Sequence, residues 1–326
     1  MRAVVIRDFG DADVLEIETL PDPVAGAGEL LVKVGASGVN RADLLQRQGK
    51  YPAPPDAPQD IPGLEFVGEV DALGSGVTSW RVGQRVMGIV SGGGYGEKVV
   101  VHEEVALPVP DGLDTVSAGA IPEVFMTAFD AVFLQAELRA GETLLVHAVG
   151  SGVGTAAIQL ARRHGVRTLG TSRTEAKLDR ARSLGMDRGF AGGESWAEAV
   201  LASTQGAGVD VILDLVGGPY LSQNQQVLGA KGRHIVVGVP GGPKAELNLR
   251  ALMAKRARIL GTVLRARALG EKAVLARAFR RQVLPGFSDS SLVPVVDRVF
   301  PATEAAAAHR YMESNQNFGK ILLSWA

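Results

Sequence analysis

The 326-residue sequence contains no cysteine. Disulfide bonds, a thiol nucleophile and a thiolate metal site are therefore excluded. Five histidines are the remaining nitrogen ligands for a metal ion, and none lies at a ligand-like spacing from another: His102, His147, His164, His234 and His309. The sequence accordingly predicts no bound metal.

The chain also has little net charge and no long apolar run. Its 34 Lys and Arg residues against 35 Asp and Glu give a net charge of −1, which does not favour a nucleic-acid partner. A local basic run is interpreted as a solvated helix and loop face: Lys255, Arg256, Arg258, Arg265 and Arg267. No stretch reaches the ~18 consecutive apolar residues of a membrane span, and the N-terminus enters a strand without a secretory apolar region. We expect a cytoplasmic protein that acts on a small molecule.

Glycine is abundant, at 41 residues, which indicates many tight turns. The most informative turn lies in TLLVHAVGSGVGTAAIQLARRHG, where an apolar run breaks into glycines and then into an amphipathic stretch. Strand, turn and helix in this order are typical of a dinucleotide site, where glycines let the backbone approach a pyrophosphate. The GxGxxG fingerprint is incomplete, since Val149 and Ser151 hold its first two glycine positions when Gly154 is the last. The candidate phosphate-binding residues are Gly150, Ser151, Gly152, Val153 and Gly154.

The next strand ends without an acidic residue. The run VRTLGTS predicts a strand that ends at Ser172 and Arg173, about twenty residues after Gly152, where NAD-specific folds carry Asp or Glu. Ser172, Arg173 and Lys177 would offer donors and positive charge to the 2′-phosphate of NADPH. The alternative is that Arg173 and Lys177 are ordinary solvated charges, although cations at a helix start oppose its dipole unless an anion is bound. The sequence therefore favours NADPH over NADH.

Strands and helices continue to alternate up to residue 262. The predicted elements are a helix at Glu175–Leu184, a strand near Asp187–Phe190, a helix from Ser195, a strand at 209–216, a helix from about Pro219, and strands at 233–239 and Arg258–Thr262. This alternation predicts a doubly wound parallel sheet with Arg258–Thr262 as its last strand. We expect the nucleotide domain to span residues 123–262.

The flanking segments, 1–122 and 263–326, differ from the nucleotide domain in their residue pattern. Short alternating strands such as ELLVKVGASGVN and LEFVGEVDALG are broken by glycine and proline, and YPAPPDAPQDIPG is too rich in proline for a helix. After residue 262, helices at about 269–284 and 303–313 and strands near 295–300 and 319–325 most simply rejoin the first segment. Because a chain of this length usually forms two domains, we expect a discontinuous, mostly β domain beside the nucleotide domain.

Five blocks of the sequence resemble a known family: VNRADLLQRQGKYPAPP, IPGLEFVGEV, AIPEVFMTAFDAV, HAVGSGVGTAAIQLARRHG and NFGKILL. They are similar to those of the zinc-independent quinone oxidoreductases, a branch of the medium-chain dehydrogenase/reductase superfamily, over nearly the whole chain. The resemblance implies a GroES-like, partly open β-barrel catalytic domain and an inserted Rossmann domain that binds NADPH. It also implies a homodimer joined through the edge strand near Arg258–Thr262.

The resemblance to zinc alcohol dehydrogenases of the same superfamily is only partial. Those enzymes resemble the chain around Glu65, but their catalytic zinc requires Cys where this sequence has Asn40 and His where it has Leu64. Their cysteine-rich structural zinc lobe is also missing, and SGGGYGEK stands in its neighbourhood. Without a Lewis acid, alcohol oxidation loses its main driving element, whereas reduction of an electron-poor acceptor needs none.

The resemblance further implies individual site residues. Asn40 and Tyr51 match the family's active-site wall, and Tyr51 carries the one hydroxyl of its loop that could protonate a reduced oxygen. The alternative is that Tyr51 only packs on the proline loop. Asp43, a separate residue of the same segment, is expected to cap the N–H groups at a helix start. The other implied cofactor contacts, several of them through backbone groups, are Thr127, Gly238, Val239, Leu264, Arg265 and Asn317.

The predicted reaction is metal-free hydride transfer from NADPH to a quinone or an α,β-unsaturated carbonyl compound. Two alternatives stay open: an enoyl-thioester reductase, and a binding protein with little turnover, either a crystallin-like NADPH-binding protein or an RNA-binding one. One mismatch concerns the adenosine end, where relatives often stack a tyrosine and this sequence has Gly192. Arg173 would replace that contact by stacking on the adenine.

Overall fold

The computed structural model describes residues 1–193 and 196–325. The chain divides into two compact units. Unit 1 combines Met1–Met126 with Leu264–Ala326, and unit 2 is Thr127–Val263. The sequence predicted the two boundaries after residues 122 and 262.

The elements are numbered in chain order. The strands are β1 (Arg2–Ile6), β2 (Leu15–Thr19), β3 (Glu29–Val39), β4 (Glu65–Leu73), β5 (Arg85–Ile89), β6 (Lys98–His102), β7 (Ala106–Pro108), β8 (Thr143–Val146), β9 (Arg167–Ser172), β10 (Arg188–Ala191), β11 (Val209–Asp214), β12 (Leu228–Val236), β13 (Arg258–Gly261), β14 (Val296–Pro301) and β15 (Lys320–Ser324). The α-helices are α1 (Arg41–Arg47), α2 (Thr115–Ala118), α3 (Pro122–Phe129), α4 (Gly152–Arg163), α5 (Glu175–Ser183), α6 (Trp196–Ser203), α7 (Leu221–Val227), α8 (Leu249–Lys255), α9 (Leu269–Gln282), α10 (Pro285–Ser288) and α11 (Ala305–Glu313).

Unit 2 is built around a parallel sheet. Its described strands are ordered β10, β9, β8, β11, β12, β13, and each neighbouring pair is parallel. The central strands β8 and β11 are apolar and almost fully buried, as expected for a sheet covered on both faces. Because the chain moves from β8 to β9 on one side and later to β11 on the other, the switch point for ligand binding lies at the carboxyl end of β8.

Unit 1 is mostly antiparallel β structure. Its larger sheet is ordered β14, β15, β3, β4, β5, β7, with β6 also paired to β3, and β1 pairs separately with β2. The long strand β3 pairs with β4, β6 and β15, and the pairing with β4 shifts register twice. The register between β15 and β3 sets Ile321 opposite Val39, so Lys320 lies beside the end of β3, where Asn40 follows.

The predicted elements of the nucleotide domain are confirmed in type and order, with small differences at their ends. The helix predicted from Pro219 begins with a 3₁₀ turn at Gly218–Tyr220 and continues as α7. The strand predicted at 233–239 begins earlier, at Leu228, and includes Lys231 with a left-handed φ of 62°. Ser195, the predicted start of a helix, lies outside the described residues, and the helix is described from Trp196.

One helical stretch, Thr115–Gln135, is long and apolar enough to cross a membrane by composition alone. It contains α2, α3 and a π-helical turn, and 78% of its most apolar window is buried inside the protein. Glu123 and Asp130 interrupt its apolar sequence, and Asp130 is buried. A helical stretch buried to this extent has the character of a core helix of a folded protein.

Candidate functional site

The glycine-rich turn of unit 2 connects β8 to α4. Ser151 is the N-cap of α4, and its Oγ accepts a hydrogen bond from the N–H of Gly154 at 3.1 Å. The φ of Ser151 is −74°, an extended conformation that any residue can adopt. A serine therefore fits at this position of the fingerprint and adds a cap that glycine could not supply.

Gly154 is required by space rather than by its φ. A Cβ at this position would lie 2.7 Å from the carbonyl oxygen of Ala148 and 2.8 Å from the Cα of Val149, both backbone atoms. The backbone N–H groups of Gly152 and Val153 belong to the first helical turn, which has no intrahelical acceptors for them. The start of this twelve-residue helix can therefore receive the pyrophosphate of a dinucleotide.

A buried polar network of unit 2 joins His147, which follows β8, to residues of β9, β11, β12 and α7. His147 contacts the Thr171 hydroxyl through Nδ1 at 2.9 Å and the Asn224 Oδ1 through Nε2 at 2.6 Å. Asn224 donates to Asp214 Oδ2 at 3.1 Å, and His234 Nε2 lies 2.8 Å from the same oxygen. Burial lowers the pKa of His147 to about 4, so its imidazole is neutral at physiological pH.

Asp214 connects this network to the turn that follows β11. Its Oδ1 accepts hydrogen bonds from the N–H groups of Val216 and Gly217, each at 2.8 Å. Burial opposes ionisation of Asp214, but the hydrogen bond from His234 and these backbone donors keep its pKa below the usual value. Asp214 therefore stays charged and fixes the turn. Sequence reasoning missed this role, although the unassigned His147 and His234 were the available signal.

Of the predicted 2′-phosphate residues, Ser172 and Arg173 lie at the carboxyl end of β9 and Lys177 lies in α5. Ser172 is buried and Arg173 is exposed. A Cβ on Gly192 would lie 3.3 Å from the Ser172 carbonyl oxygen and 3.5 Å from the Tyr220 hydroxyl. The Tyr220 hydroxyl therefore lies beside the position that the side chain of a larger residue at 192 would occupy. The sequence did not predict this position of Tyr220.

Tyr220 is held by aromatic contacts. Its ring centroid lies 4.8 Å from that of His147 and 5.3 Å from that of Trp196. Burial raises the pKa of the Tyr220 phenol, and the charge of Arg173 acts in the opposite direction. The phenol and the guanidinium are thus close enough to interact electrostatically at this corner of unit 2.

In unit 1, Asn40 is bound to a buried ion pair. Lys320 Nζ lies 2.6 Å from Glu65 Oε1, and both side chains are nearly inaccessible to solvent. Lys320 also donates to Asn40 Oδ1 at 2.7 Å, while Asn40 Nδ2 donates to Glu65 Oε1 at 3.0 Å and to the Gly38 carbonyl at 3.2 Å. Both amide hydrogens of Asn40 are used in these bonds, and its Oδ1 accepts from the Lys320 ammonium.

Asp43 lies beside this cluster and orders the start of α1. Its carboxylate accepts hydrogen bonds from the N–H of Asn40 at 2.7 Å, the N–H of Gly63 at 3.2 Å and the Tyr95 hydroxyl at 3.1 Å. Burial raises the pKa of Asp43 to about 6. The predicted capping role agrees with these contacts, and Asp43 also connects α1 to the strand region around Gly63.

Tyr51 lies next to Arg265. The Arg265 guanidinium is 5.3 Å from the centre of the Tyr51 ring and donates to the Tyr51 carbonyl at 3.3 Å. Among the described residues the Tyr51 hydroxyl has no hydrogen-bond partner, so it can receive a ligand. The interpretation of the whole basic run as a solvated face is wrong for Arg265, whose side chain is buried. Burial is possible because Gln46, Ser91 and Tyr51 accept its N–H groups.

The other predicted cofactor residues are distributed over both units. Thr127 is buried in α3, and the Gly238 N–H lies 3.4 Å from the Asp214 carbonyl oxygen, whereas Val239 is exposed. Asn317 is buried and donates to the Gly319 carbonyl at 3.0 Å. Leu264 is the first residue of the second part of unit 1. Their assignment to a cofactor stays a prediction.

The donor set of unit 1 does not suit a catalytic zinc ion. An amide, Asn40, and an aliphatic side chain, Leu64, stand where zinc relatives carry thiolate and imidazole. The Lys320 ammonium beside Asn40 would repel a cation. Within residues 1–193 and 196–325, no group of three or more His, Asp or Glu side chains is arranged to hold a metal ion.

Comparisons with known proteins agree with both units. Residues 26–111 match the alcohol dehydrogenase GroES-like domain, and residues 152–279 match the zinc-binding dehydrogenase domain. The chain is 32% identical to the quinone oxidoreductase of Rattus norvegicus, over 99% of this chain and 97% of the relative.

Solved structures give the same result. An NAD-dependent alcohol dehydrogenase superposes with a TM-score of 0.90 at 32% identity and covers 100% of both chains. A mycobacterial protein solved in complex with NADPH superposes with a TM-score of 0.89 at 27% identity, covering 99% of this chain and 100% of the other. The GroES-like and Rossmann architecture predicted from the sequence is confirmed.

Removal of the buried ammonium tests the cluster around Asn40. We expect Lys320→Met to lower the free energy of unfolding by about 3 kcal/mol or more, because the Glu65 carboxylate would stay buried without its counter-ion. Lys33→Met, an exposed lysine in β3, is the control and should cost less than about 0.5 kcal/mol. Denaturant unfolding followed by circular dichroism measures both.

A second change separates the ion pair from the loss of a packed side chain. Adding Glu65→Gln to Lys320→Met removes the unpaired charge and should recover most of the lost stability. If the double variant is as unstable as Lys320→Met, the buried charge is not the cause.

Proposed function

The chain belongs to the quinone oxidoreductase family of the medium-chain dehydrogenases/reductases, and we propose that it uses NADPH to reduce quinones or α,β-unsaturated carbonyl compounds. The observation that carries this proposal is the cluster of Asn40, Lys320 and Glu65, which occupies the region of a catalytic zinc with a donor set unsuited to one. Alcohol oxidation depends on such a Lewis acid, whereas a conjugated acceptor is already electron-poor.

The cofactor supplies the hydride, and the protein holds and orients it. We propose that the N–H groups of Gly150, Gly152 and Val153 bind the pyrophosphate at the start of α4. Gly154 keeps the backbone close enough for this contact, and Ser151 satisfies the Gly154 N–H so that the turn keeps its shape. Asp214 supports the adjacent turn after β11.

The proposed preference for NADPH rests on the end of β9. Ser172 and Arg173 stand where NAD-specific folds carry an acidic residue, and they supply a hydroxyl and a cationic group for a 2′-phosphate. Lys177 follows in α5 and adds a second positive charge. The Tyr220 hydroxyl, which reaches the same corner beside Gly192, adds a further donor. An exposed arginine next to a phenol suits a phosphate dianion better than a ribose hydroxyl.

We assign Tyr51 the role of proton or hydrogen-bond donor to the carbonyl oxygen of the acceptor. Its hydroxyl has no partner within the described part of the chain, and burial raises the pKa of the phenol so that the proton is retained at neutral pH. Asn40 uses its amide hydrogens internally, so we propose that it contacts the cofactor or the acceptor without donating from its amide. The remaining proposed contacts to the cofactor are Thr127, Gly238, Val239, Leu264, Arg265 and Asn317.

We also propose a homodimer that pairs the edge strands of two nucleotide sheets. Strand β13 is the last strand of the sheet, and its outer edge has no neighbour within the described residues. Unit 2 exposes Met253 by 76%, Leu249 by 62% and Val263 by 58% in and around this edge and the preceding helix α8. A second copy would cover both the open edge and these apolar side chains.

Cofactor choice is tested by calorimetry. We expect NADPH to bind at least about tenfold more tightly than NADH, or about 1.4 kcal/mol, because only NADPH places a phosphate beside Arg173 and Lys177. Replacing both residues by Ala should remove most of this difference. Arg188→Ala, at an exposed arginine in the neighbouring strand β10, is the control and should leave it intact. Equal affinities for the two cofactors in the unmodified protein would disprove the assignment.

The role of Tyr51 is tested by steady-state kinetics with two acceptor classes. We expect Tyr51→Phe to lower kcat for an enone by about ten- to a thousandfold with little change in NADPH affinity, because a proton donor is lost from the transition state. Quinones should lose less, since their hydride adducts are stabilised as phenolates. Tyr311→Phe, whose hydroxyl binds Asp297, is the matched control. Unchanged rates with both acceptors would leave Tyr51 with a packing role.

A further inference from the structure

Arg265 is a buried arginine that joins three segments of unit 1. Its Nη2 donates to Gln46 Oε1 at 2.6 Å, its Nε to the Ser91 carbonyl at 2.8 Å and its Nη1 to the Tyr51 carbonyl at 3.3 Å. Only 6% of the residue is exposed. Burying a guanidinium is costly unless its donors are satisfied, so this geometry is specified by all three acceptors.

The backbone of Arg265 is fixed as well. Its carbonyl oxygen accepts hydrogen bonds from Lys272 Nζ at 2.8 Å and Ser91 Oγ at 2.9 Å, and Lys272 Nζ also donates to Ser91 Oγ at 2.7 Å. Ser91 therefore contacts Arg265 with both its carbonyl and its hydroxyl. With both the backbone and the guanidinium held, Arg265 has little freedom to move relative to the residues it binds.

Arg265 also holds the proline-rich loop that begins at Tyr51. Gln46 carries the connection further, because its Nε2 donates to the Gln59 carbonyl at 3.1 Å while its Oε1 accepts from Arg265. Inside the loop, Gln59 donates to the carbonyls of Pro54 and Ala57. Both ends of the loop are thus tied to the same guanidinium, one directly and one through Gln46.

We propose that Arg265 is the positioning residue that holds the Tyr51 phenol in place for proton donation. This inference rests on the proposed function of Tyr51. Arg265 holds the Tyr51 backbone by a hydrogen bond and the Tyr51 ring by a cation–π contact. Neither contact uses the Tyr51 hydroxyl, which therefore stays available to a substrate. The arrangement supplies orientation that would otherwise cost entropy when the acceptor binds.

The same contact acts on the acidity of the phenol. Burial raises the pKa of Tyr51, the positive charge of Arg265 lowers it, and the negative charge of Glu123 raises it. A nearby cation makes the phenol a better donor to a developing oxyanion. An ammonium could supply the charge but not the fork of donors that reaches three acceptors, so lysine should restore part of the effect only.

The experiment combines Arg265→Gln and Arg265→Lys with Tyr51→Phe. Enone reduction by NADPH gives kcat and KM for each single and double variant, and ultraviolet absorbance of tyrosinate gives the titration of Tyr51 by difference from Tyr51→Phe. Thermal unfolding shows whether each variant is folded. Arg298→Gln is the matched control, because Arg298 also lies 5.3 Å over a tyrosine ring, that of Tyr311.

We expect Arg265→Gln to lower kcat for the enone about tenfold when Tyr51 is present and less than about twofold in the Tyr51→Phe background, a coupling typical of residues in contact. The Tyr51 titration should move to higher pH, Arg265→Lys should recover part of both effects, and Arg298→Gln should change neither. NADPH affinity should change little, because the contact proposed between Arg265 and the cofactor is made by backbone groups, which the substitution keeps.

Two results would overturn the inference. One is an equal loss of kcat in both backgrounds, which would show that Arg265 does not act through Tyr51. The other is a folded Arg265→Gln variant with an unchanged Tyr51 titration. If the unmodified protein reduces neither enones nor quinones, the proposed function fails, and the tyrosinate titration still decides whether Arg265 controls Tyr51.

Discussion

A buried ammonium is the constraint on which unit 1 depends. Lys320 begins the last strand, and its Nζ binds Glu65 of β4, the Asn40 amide and the Val39 carbonyl at the end of β3. Since an isolated charge could not be buried there, the pairing specifies how three strands meet. The same atoms fix Asn40, and through its capping partner Asp43 they fix the start of α1.

Both units contain networks of buried polar side chains that bind one another. In unit 1, buried donors such as Lys320 and Arg265 hold loops and leave the Tyr51 hydroxyl without a partner among the described residues. In unit 2, the network around Asp214 satisfies His147, Asn224 and His234 internally and does not involve the N–H groups at the start of α4. The polar side chains of these networks bind one another, so the Tyr51 hydroxyl and the α4 N–H groups keep their hydrogen-bonding capacity.

The sequence predicted the fold well where its signal is local. Buried parallel strands such as VDVILDLV and the amphipathic α4 carry their pattern within a few residues, and their alternation predicts the doubly wound parallel sheet. The early start of β12 was missed because Lys231 adopts a left-handed conformation inside it. The burial of Arg265 was missed because its partner Gln46 lies 219 positions away in the sequence. The position of Tyr220 beside residue 192 was missed because Gly192 has no side chain that would indicate a contact. Contacts between distant segments leave no periodic trace in a single sequence.

We propose that this chain directs a hydride to the β-carbon of a conjugated carbonyl compound, with Tyr51 at the carbonyl oxygen. The most direct measurement follows deuterium from C4-labelled NADPH into the product of an enone by nuclear magnetic resonance. We expect a saturated ketone with one deuterium on the carbon β to the carbonyl. Deuterium on the carbonyl carbon, with formation of an alcohol, would contradict it, because the enzyme would then carry out the chemistry for which its zinc relatives need a metal.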